Sequence, residues 1–167
     1  MTAKVGIIGY PIGHSISPIF QQAAFDHYEL DIQYQIWKIE PHRLTQAVVE
    51  LRQSEVLGFN VTVPYKESIM KELDEITEEA IDIGAVNTVI NQAGNLVGHN
   101  TDGPGFIRAL KEEGKFDPEG KSTLILGAGG SAKAVSYHLL KNKISNLLLA
   151  NRTNIRAENL GAALKSL

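Results

Sequence analysis

The chain has 167 residues, 43% of them hydrophobic and 21% charged, with a formal net charge of -3; this is globular composition, with apolar material for one domain and part of a second. Acids and bases are interspersed without a basic stripe, which argues against nucleic acid as a partner, and the absence of cysteine excludes disulfides, thiolate catalysis and thiolate metal sites. No run approaches the ~18 apolar residues of a membrane span and the N-terminus lacks the layout of a signal peptide, so a cytoplasmic protein with no membrane partner is expected.

In chain order, Val5 to Gly9 is an apolar run ending in glycine, as in a buried parallel strand. The turn-rich segment Tyr10 to Ser17 follows. Ser17 before Pro18 predicts a helix with a hydroxyl N-cap and an apolar face of Ile19, Phe20, Ala23 and Ala24. Ile32, Tyr34 and Ile36 alternate with polar residues, as in a strand. Pro41 opens a second helix with Leu44, Val48 and Leu51 on one side. Phe59 to Val63 is the next strand, ended by Pro64, and a helix carrying Ile69 and Leu73 follows it. Thr77, Glu79 and Ala80 begin another helical turn. Ala85 to Ile90 and Leu96 to His99 flank Gln92-Ala93-Gly94-Asn95, a hairpin.

The breaker cluster Asp102-Gly103-Pro104-Gly105 then precedes an amphipathic helix with Phe106, Ile107 and Leu110, and Phe116 to Gly120 is a turn. Ser122 to Leu126 is a strand, Gly127 to Gly130 a tight loop, Ser131 to Lys141 a helix, Leu147 to Ala150 a strand, and Thr153 onward a helix. Strands alternating with helices predict an α/β protein with a mostly parallel sheet. The expected organisation is a three-layer α/β domain over 1–102, followed by a partial Rossmann-type dinucleotide-binding domain over 103–167.

Gly127-Ala128-Gly129-Gly130-Ser131-Ala132 fits the pattern G-x-G-x-x-A between a predicted strand and a predicted helix. The first glycine permits the tight turn, the second lets a pyrophosphate approach the backbone, and the small sixth residue lets the helix pack closely. Amides at the helix N-terminus would face the anion. The second strand of an NAD site usually ends in an acid that bonds the ribose 2′-hydroxyl. Here that strand ends in Asn151-Arg152-Thr153, with Arg156 one turn on. A carboxylate would repel a 2′-phosphate, whereas a guanidinium can hold it through paired charge-assisted bonds, so NADP is the expected cofactor.

Upstream, Ser15, Ser17, Asn60, Thr62, Lys66, Asn87, Thr101 and Asp102 fall at strand ends or in loops, where α/β proteins gather ligand groups. Each also has an ordinary use: Ser17 and Asp102 as helix caps, Asn60 and Thr62 as strand residues, Lys66 as a surface lysine. A lysine in the first turn of a helix is disfavoured by the helix dipole, which singles Lys66 out. His14 and His99 lie nearby, but two isolated histidines make a poor metal site, so no metal is expected.

Asn60-Val-Thr-Val-Pro-Tyr-Lys66, Gly84-Ala-Val-Asn-Thr88 and Gly98-His-Asn-Thr-Asp-Gly-Pro-Gly-Phe106 resemble the signature blocks of the shikimate dehydrogenase family. So do Ser15-Ile-Ser17, Gly127-Ala-Gly-Gly130 and Asn151 to Glu158, all in the family's order. The resemblance implies that Ser15 and Ser17 bond a substrate carboxylate, and that Thr62, Asn87 and Asp102 bond ring hydroxyls. It makes Lys66 and Asp102 the catalytic pair. It also implies that Gly127, Ala128, Gly129, Gly130, Ser131, Asn151, Arg152, Thr153 and Arg156 hold NADP, with Glu78 touching the cofactor. The implied reaction is reversible reduction of 3-dehydroshikimate to shikimate, a step toward aromatic amino acids. Hydride delivery to a ketone builds negative charge on its oxygen, and a placed ammonium can supply the proton.

Lys133 departs from the arginine the family often has, keeping the charge without the bidentate fork. A complete doubly wound domain would need on the order of 100 further residues. The 167-residue chain is therefore expected to be weakly active alone, and its open sheet edge admits a homodimer. Alternative readings are a dehydrogenase acting on quinate, a more distant tetrahydrofolate dehydrogenase, and a non-catalytic ligand-binding relative.

Overall fold

A computed structural model describes residues 2–165; Met1, Ser166 and Leu167, at the outer ends of the two expected domains, lie outside the described residues. The chain forms two compact units, Met1–Glu78 with Val86–His99, and Glu79–Ala85 with Asn100–Leu167.

The first unit is a six-stranded mixed sheet with its helices. Strand β1 (Ala3–Gly9) leads through helix α1 (Ser17–His27) to β2 (Ile32–Lys38). A 3-10 turn (Pro41–Arg43) and α2 (Leu44–Glu50) lead to β3 (Val56–Val61). A second 3-10 turn (Ser68–Glu72), the short β4 (Glu75–Ile76), β5 (Thr88–Gln92) and β6 (Asn95–His99) complete the unit. The strand order is β2-β1-β3-β5-β6-β4. β1 is parallel to both β2 and β3, and β4 is parallel to β6, whereas β5 runs antiparallel to both its neighbours. Leu44, Val48 and Leu51 are buried, so α2 has the apolar side its spacing predicts.

The β5–β6 hairpin turns through Ala93 and Gly94, both with positive φ (54° and 96°). That is the conformation a two-residue hairpin loop demands, and glycine adopts it without strain. Asn91 fixes the turn from below: its Oδ1 accepts from the Gly94 amide at 2.7 Å and its amide group donates to the Val56 carbonyl at 2.8 Å.

The second unit contains α3 from Glu79 onward (Glu78–Ile83), α4 (Asp102–Glu112), β7 (Ser122–Leu126), α5 (Gly130–Lys141), β8 (Asn146–Ala150) and α6 (Asn154–Leu164). β7 and β8 pair in parallel from Ser122↔Asn146 to Leu126↔Ala150, so β7-α5-β8 is the β-α-β unit the alternation predicts. Ile83, Ala85, Ala134 and Tyr137 form a buried cluster against which Leu164 packs. Among the described residues, no helix is long and apolar enough to cross a membrane.

Several local expectations are corrected. Ser17 is the first residue of α1 rather than its cap; Ile16 holds the cap position, and its side chain makes no capping hydrogen bond. The apolar face expected of α1 is open, with Ile19 74% and Phe20 54% exposed. The segment carrying Ile69 makes only a 3-10 turn, so Lys66 lies in a turn ahead of it and not in a helix. β3 starts earlier than expected and stops at Val61, where its ladder to β1 ends at Ile8↔Val61. Asp102-Gly103-Pro104-Gly105 is the first turn of α4 rather than a break before it; proline is tolerated there because first-turn amides have no intrahelical partner. Gly130 likewise belongs to α5.

Candidate functional site

In the first unit the candidates gather on loops that leave the sheet, and their main chains are tied down. The Thr62 amide donates to the Ile8 carbonyl at 3.0 Å as the chain leaves β3. The turn closes with the Tyr65 amide on the Thr62 carbonyl at 2.9 Å, and the buried Tyr65 hydroxyl anchors it to the Ile39 carbonyl at 2.6 Å. Burial raises the Tyr65 pKa, so the phenol stays a donor. Next, the Val86 amide donates to the Lys66 carbonyl at 2.7 Å, which ties the Lys66 turn to the strand entering β5. Asn87 is buried, with its amide on the His99 carbonyl at 3.0 Å and its carbonyl accepting from Val61 at 2.8 Å. Lys66 and Thr62 are half-buried.

Ser15 and Ser17 sit at the entry to α1, where the Ser17 amide donates to the Ser15 hydroxyl at 3.3 Å. Tyr34 is buried, and its pKa is pushed up to about 12 by burial, with the Ser17 side chain lowering it in part. Tyr34 therefore holds its proton throughout the physiological range and donates it to Asn60 Oδ1 at 2.8 Å. Behind the hairpin, Arg52 donates to the carbonyls of Gly94 at 2.7 Å and Glu72 at 3.1 Å and makes a short ion pair with Asp74. The Arg52 guanidinium and the Leu96 amide hold the Asp74 carboxyl below the usual range.

In the second unit, Asp102 opens α4 and is half-buried. The buried Asn100 side chain fixes that end, donating to the Ala85 carbonyl at 2.9 Å while its Oδ1 accepts from the Asp102 amide at 3.1 Å. That amide is one of the helix-end donors left over by helix geometry, so Asn100 supplies the cap that the adjacent Thr101 side chain does not. On the far side of α4, Gly103 lets the α5 residue His138 pack close; a Cβ at Gly103 would overlap its ring. His138 Nε2 is 3.2 Å from Glu79 Oε1, off the line of a hydrogen bond. Burial lowers the His138 pKa; the Glu79 carboxylate opposes the shift and Lys141 adds to it.

At the carboxyl ends of β7 and β8 lies a cleft of about 450 Å³ lined by Leu126, Gly127, Ala150, Asn151 and Arg152. Gly127 has a φ of +131°, and its amide donates to the Ala150 carbonyl at 2.7 Å. Gly129 caps α5 in an extended conformation, Gly130 and Ser131 begin the helix, and Ala128 is buried beneath. A Cβ at Gly127 or Gly129 would meet nothing within 4 Å, so the space over the loop is open. Asn151 donates to the Thr153 carbonyl at 2.8 Å, which shapes the turn into α6, and the Arg156 amide closes on the Thr153 carbonyl at 3.0 Å. Arg152, Thr153 and Arg156 are exposed. Lys133 donates to the Gly84 carbonyl at 3.2 Å, a structural bond beyond the end of α3. Glu78, at the start of α3, is exposed.

Ser15, Ser17, Thr62, Lys66 and Asn87 thus belong to the first unit, with Glu78, while Asp102 and the glycine loop belong to the second. Sequence reasoning missed Tyr34, Tyr65, Thr88 and Asn100 as parts of the polar framework. Tyr34 looked like one more apolar residue in an alternating strand, and nothing in that spacing reveals its phenol's partners.

The profile of the shikimate dehydrogenase substrate binding domain matches residues 7–89, and that of shikimate / quinate 5-dehydrogenase matches residues 109–167. The chain is 46% identical over 164 residues to the shikimate dehydrogenase (NADP(+)) of Methanopyrus kandleri, covering 98% of this chain and 57% of that protein. Among solved structures it is similar to a shikimate dehydrogenase in complex with NADP+, with a TM-score of 0.91 and 41% identity, covering 99% of this chain and 56% of that one. It is also similar to the Thermus thermophilus shikimate 5-dehydrogenase in complex with shikimate, with a TM-score of 0.90 and 36% identity, covering 98% of this chain and 61% of that one. The chain therefore spans somewhat more than half the length of the relatives it matches.

Proposed function

The chain belongs to the shikimate dehydrogenase family, and on that premise we propose that it takes part in the NADP-dependent, reversible reduction of 3-dehydroshikimate to shikimate. We assign residues 1–102 to the substrate domain and 103–167 to the nucleotide-binding domain. The observation that carries the reading is the Thr62–Lys66 turn, braced by main-chain bonds to Ile8 and Val86 in the same unit as Ser15, Ser17 and Asn87. Such bracing fixes the backbone from which the Lys66 ammonium would reach a reacting oxygen, which lowers the reorganisation an acid catalyst has to undergo.

In this reading Ser15 and Ser17 donate to the substrate carboxylate, and Thr62, Asn87 and Asp102 hold the ring hydroxyls. Lys66 gives a proton to the carbonyl oxygen in reduction and its neutral form takes the hydroxyl proton in oxidation, with Asp102 as its partner. The open space above Gly127 and Gly129 fits the backbone of a dinucleotide, with Gly130 and Ser131 at the helix N-terminus receiving its pyrophosphate. Asn151, Arg152, Thr153 and Arg156 would receive the 2′-phosphate, since β8 ends without an acid. Glu78 would lie at the cofactor's edge. NADP, when bound, supplies or accepts the hydride.

The match of residues 109–167 to a shikimate / quinate profile supports a second substrate, quinate. Steady-state oxidation of shikimate and of quinate with NADP, run side by side, tests both. Formation of NADPH with shikimate is expected, and turnover of quinate alone would move the assignment to that acid. Formation of no NADPH with either, at any NADP concentration, would refute the reading.

A further inference from the structure

We infer that the chain pairs with a second copy of itself along the outer edge of β2, antiparallel and centred on Ile36, joining the two six-stranded sheets into one. The sheet order begins at β2, so among the described residues no strand lies on its outer side. The bonds at its two ends show which way its polar groups turn. The Ala3 amide donates to the Asp31 carbonyl at 3.1 Å and the Ile39 amide to the Gly9 carbonyl at 3.3 Å, so odd-numbered residues face β1. Backbone groups alternate along a strand, so those of the even-numbered residues face outward. Such a row is a template for another strand unless something blunts it.

Gln22 of α1 blunts only the first part of the row. Its Oε1 accepts from the Tyr34 amide at 2.8 Å and its Nε2 donates to the Ile32 carbonyl at 3.1 Å, as a neighbouring strand would. Beyond it the outward groups are the Tyr34 carbonyl, the Ile36 amide and carbonyl, and the Lys38 amide. Under a two-fold axis at Ile36 this run complements itself. Each Ile36 amide meets the partner's Ile36 carbonyl, and each Lys38 amide meets the carbonyl of the partner's Tyr34. Centring on Gln35 would call on the Tyr34 amide that Gln22 holds, and centring on Trp37 would set Tyr34 opposite Glu40, past the end of β2.

The side chains agree with that register. Ile36, 39% exposed, falls against its own copy, a β-branched cross-strand pair. It shares a face with Tyr34, whose ring lies 6.5 Å from that of Phe25 in α1, so α1 overlies this face. Ile19, one turn before Gln22 on the same side of α1, adds exposed apolar surface beside the edge. A lysine on an edge usually repels a second strand, but Lys38 falls opposite the partner's Tyr34 and not its own copy. Its ammonium lies 5.6 Å over the Tyr10 ring of its own chain. Pairing over so short a run buries less than the roughly 800 Å² per partner of a standard interface, so the dimer is expected to dissociate in the micromolar range.

The inference does not rest on the proposed function, and its test needs no turnover. Sedimentation velocity of the 167-residue chain from about 1 to about 500 µM should show a monomer–dimer equilibrium. Ile36→Pro removes the outward amide, which an edge strand tolerates, and Ile36→Lys sets like charges on the axis. Each should raise the dissociation constant about tenfold or more, because a change on a two-fold axis counts from both copies. Circular dichroism checks that the variants are folded. Should Ile36→Pro not fold, Ile36→Lys and amide exchange in the wild-type chain decide. The Ile36 and Lys38 amides should exchange more slowly as concentration rises, while those of Gln35 and Trp37, which face β1, stay protected throughout. A wild-type chain that is monomeric over the whole range would overturn the inference. So would a dimer that Ile36→Lys leaves intact, which places the interface elsewhere, or exchange at Ile36 and Lys38 that does not change with concentration.

Discussion

In the first unit, Thr62, Lys66 and Asn87 have their main chains bonded to neighbouring strands or turns, and a polar network runs beneath them. In the second unit, the glycine loop and the exposed Arg152 border open space, and Arg156 is exposed at the start of α6. One side is arranged by protein–protein hydrogen bonds before any ligand arrives; the other offers backbone, charge and room. The difference suits what each would bind. A small polyhydroxylated ring needs individually aimed donors, whereas a dinucleotide needs close approach to a helix end and cations for its phosphates. Substitutions on each side put this contrast to the test.

The largest effect is expected at Lys66. Lys66→Ala should lower kcat about a thousandfold, within the range for loss of a general acid, and leave shikimate KM within a few-fold. Steady-state kinetics separate the two parameters, and a preserved kcat would remove Lys66 from proton transfer. Next is Arg152→Ala, which should raise the KM for NADP roughly ten- to a hundredfold and leave that for NAD unchanged, the signature of lost charge-assisted bonds to the 2′-phosphate. Equal changes for both cofactors would mean that Arg152 does not read that group.

A pair of glycines sharpens the contrast through stability. A Cβ at Gly103 would overlap the His138 ring, whereas one at Gly129 would meet nothing within 4 Å. Gly103→Ala should therefore cost about 1–3 kcal/mol in urea denaturation, as overpacking does. Gly129→Ala should stay within about 1 kcal/mol and instead raise the KM for NADP. Equal destabilisation by both would contradict the view that one glycine serves packing and the other serves the ligand.

The smallest effect concerns pH. Burial holds the His138 pKa below its ordinary value of 6.5. Below about pH 6.5 the unfolded chain then binds the extra proton more readily than the folded one. Stability should be flat above that pH and fall as pH drops from there through the folded-state pKa. Thermal unfolding followed across this range should show the decline in the wild-type chain and a shallower one in His138→Phe. Parallel profiles for the two proteins would exclude His138 as the source.

Much of this was legible in the sequence, and the limits have physical causes. The β7-α5-β8 unit announces itself because a glycine loop between an apolar strand and a helix leaves little conformational choice. The site blocks, including Asn60 to Lys66 and Gly98 to Phe106, are short and carry their chemistry in residue types. What stayed hidden depends on contacts distant in sequence. Tyr34 finds Asn60 only through sheet register, Asn100 reaches back to Ala85, and Arg52 gathers Glu72, Asp74 and Gly94. The apolar residues of α1 misled in the other direction, because periodicity signals an apolar face without saying what covers it. The Asp102 to Gly105 run misled because glycine and proline break helix interiors but are tolerated in a first turn.

The central claim is that the substrate side is arranged in advance while the nucleotide side is completed by its ligand. Amide hydrogen exchange, measured without ligand, with shikimate and with NADP, tests it most directly. The account predicts slow exchange at Thr62, Val86 and Asn87 in the ligand-free chain, little changed by shikimate, and a strong slowing at Gly129 and Gly130 when NADP is added. Rapid exchange at Val86 and Asn87 until shikimate binds, with Gly129 and Gly130 unaffected by NADP, would contradict it.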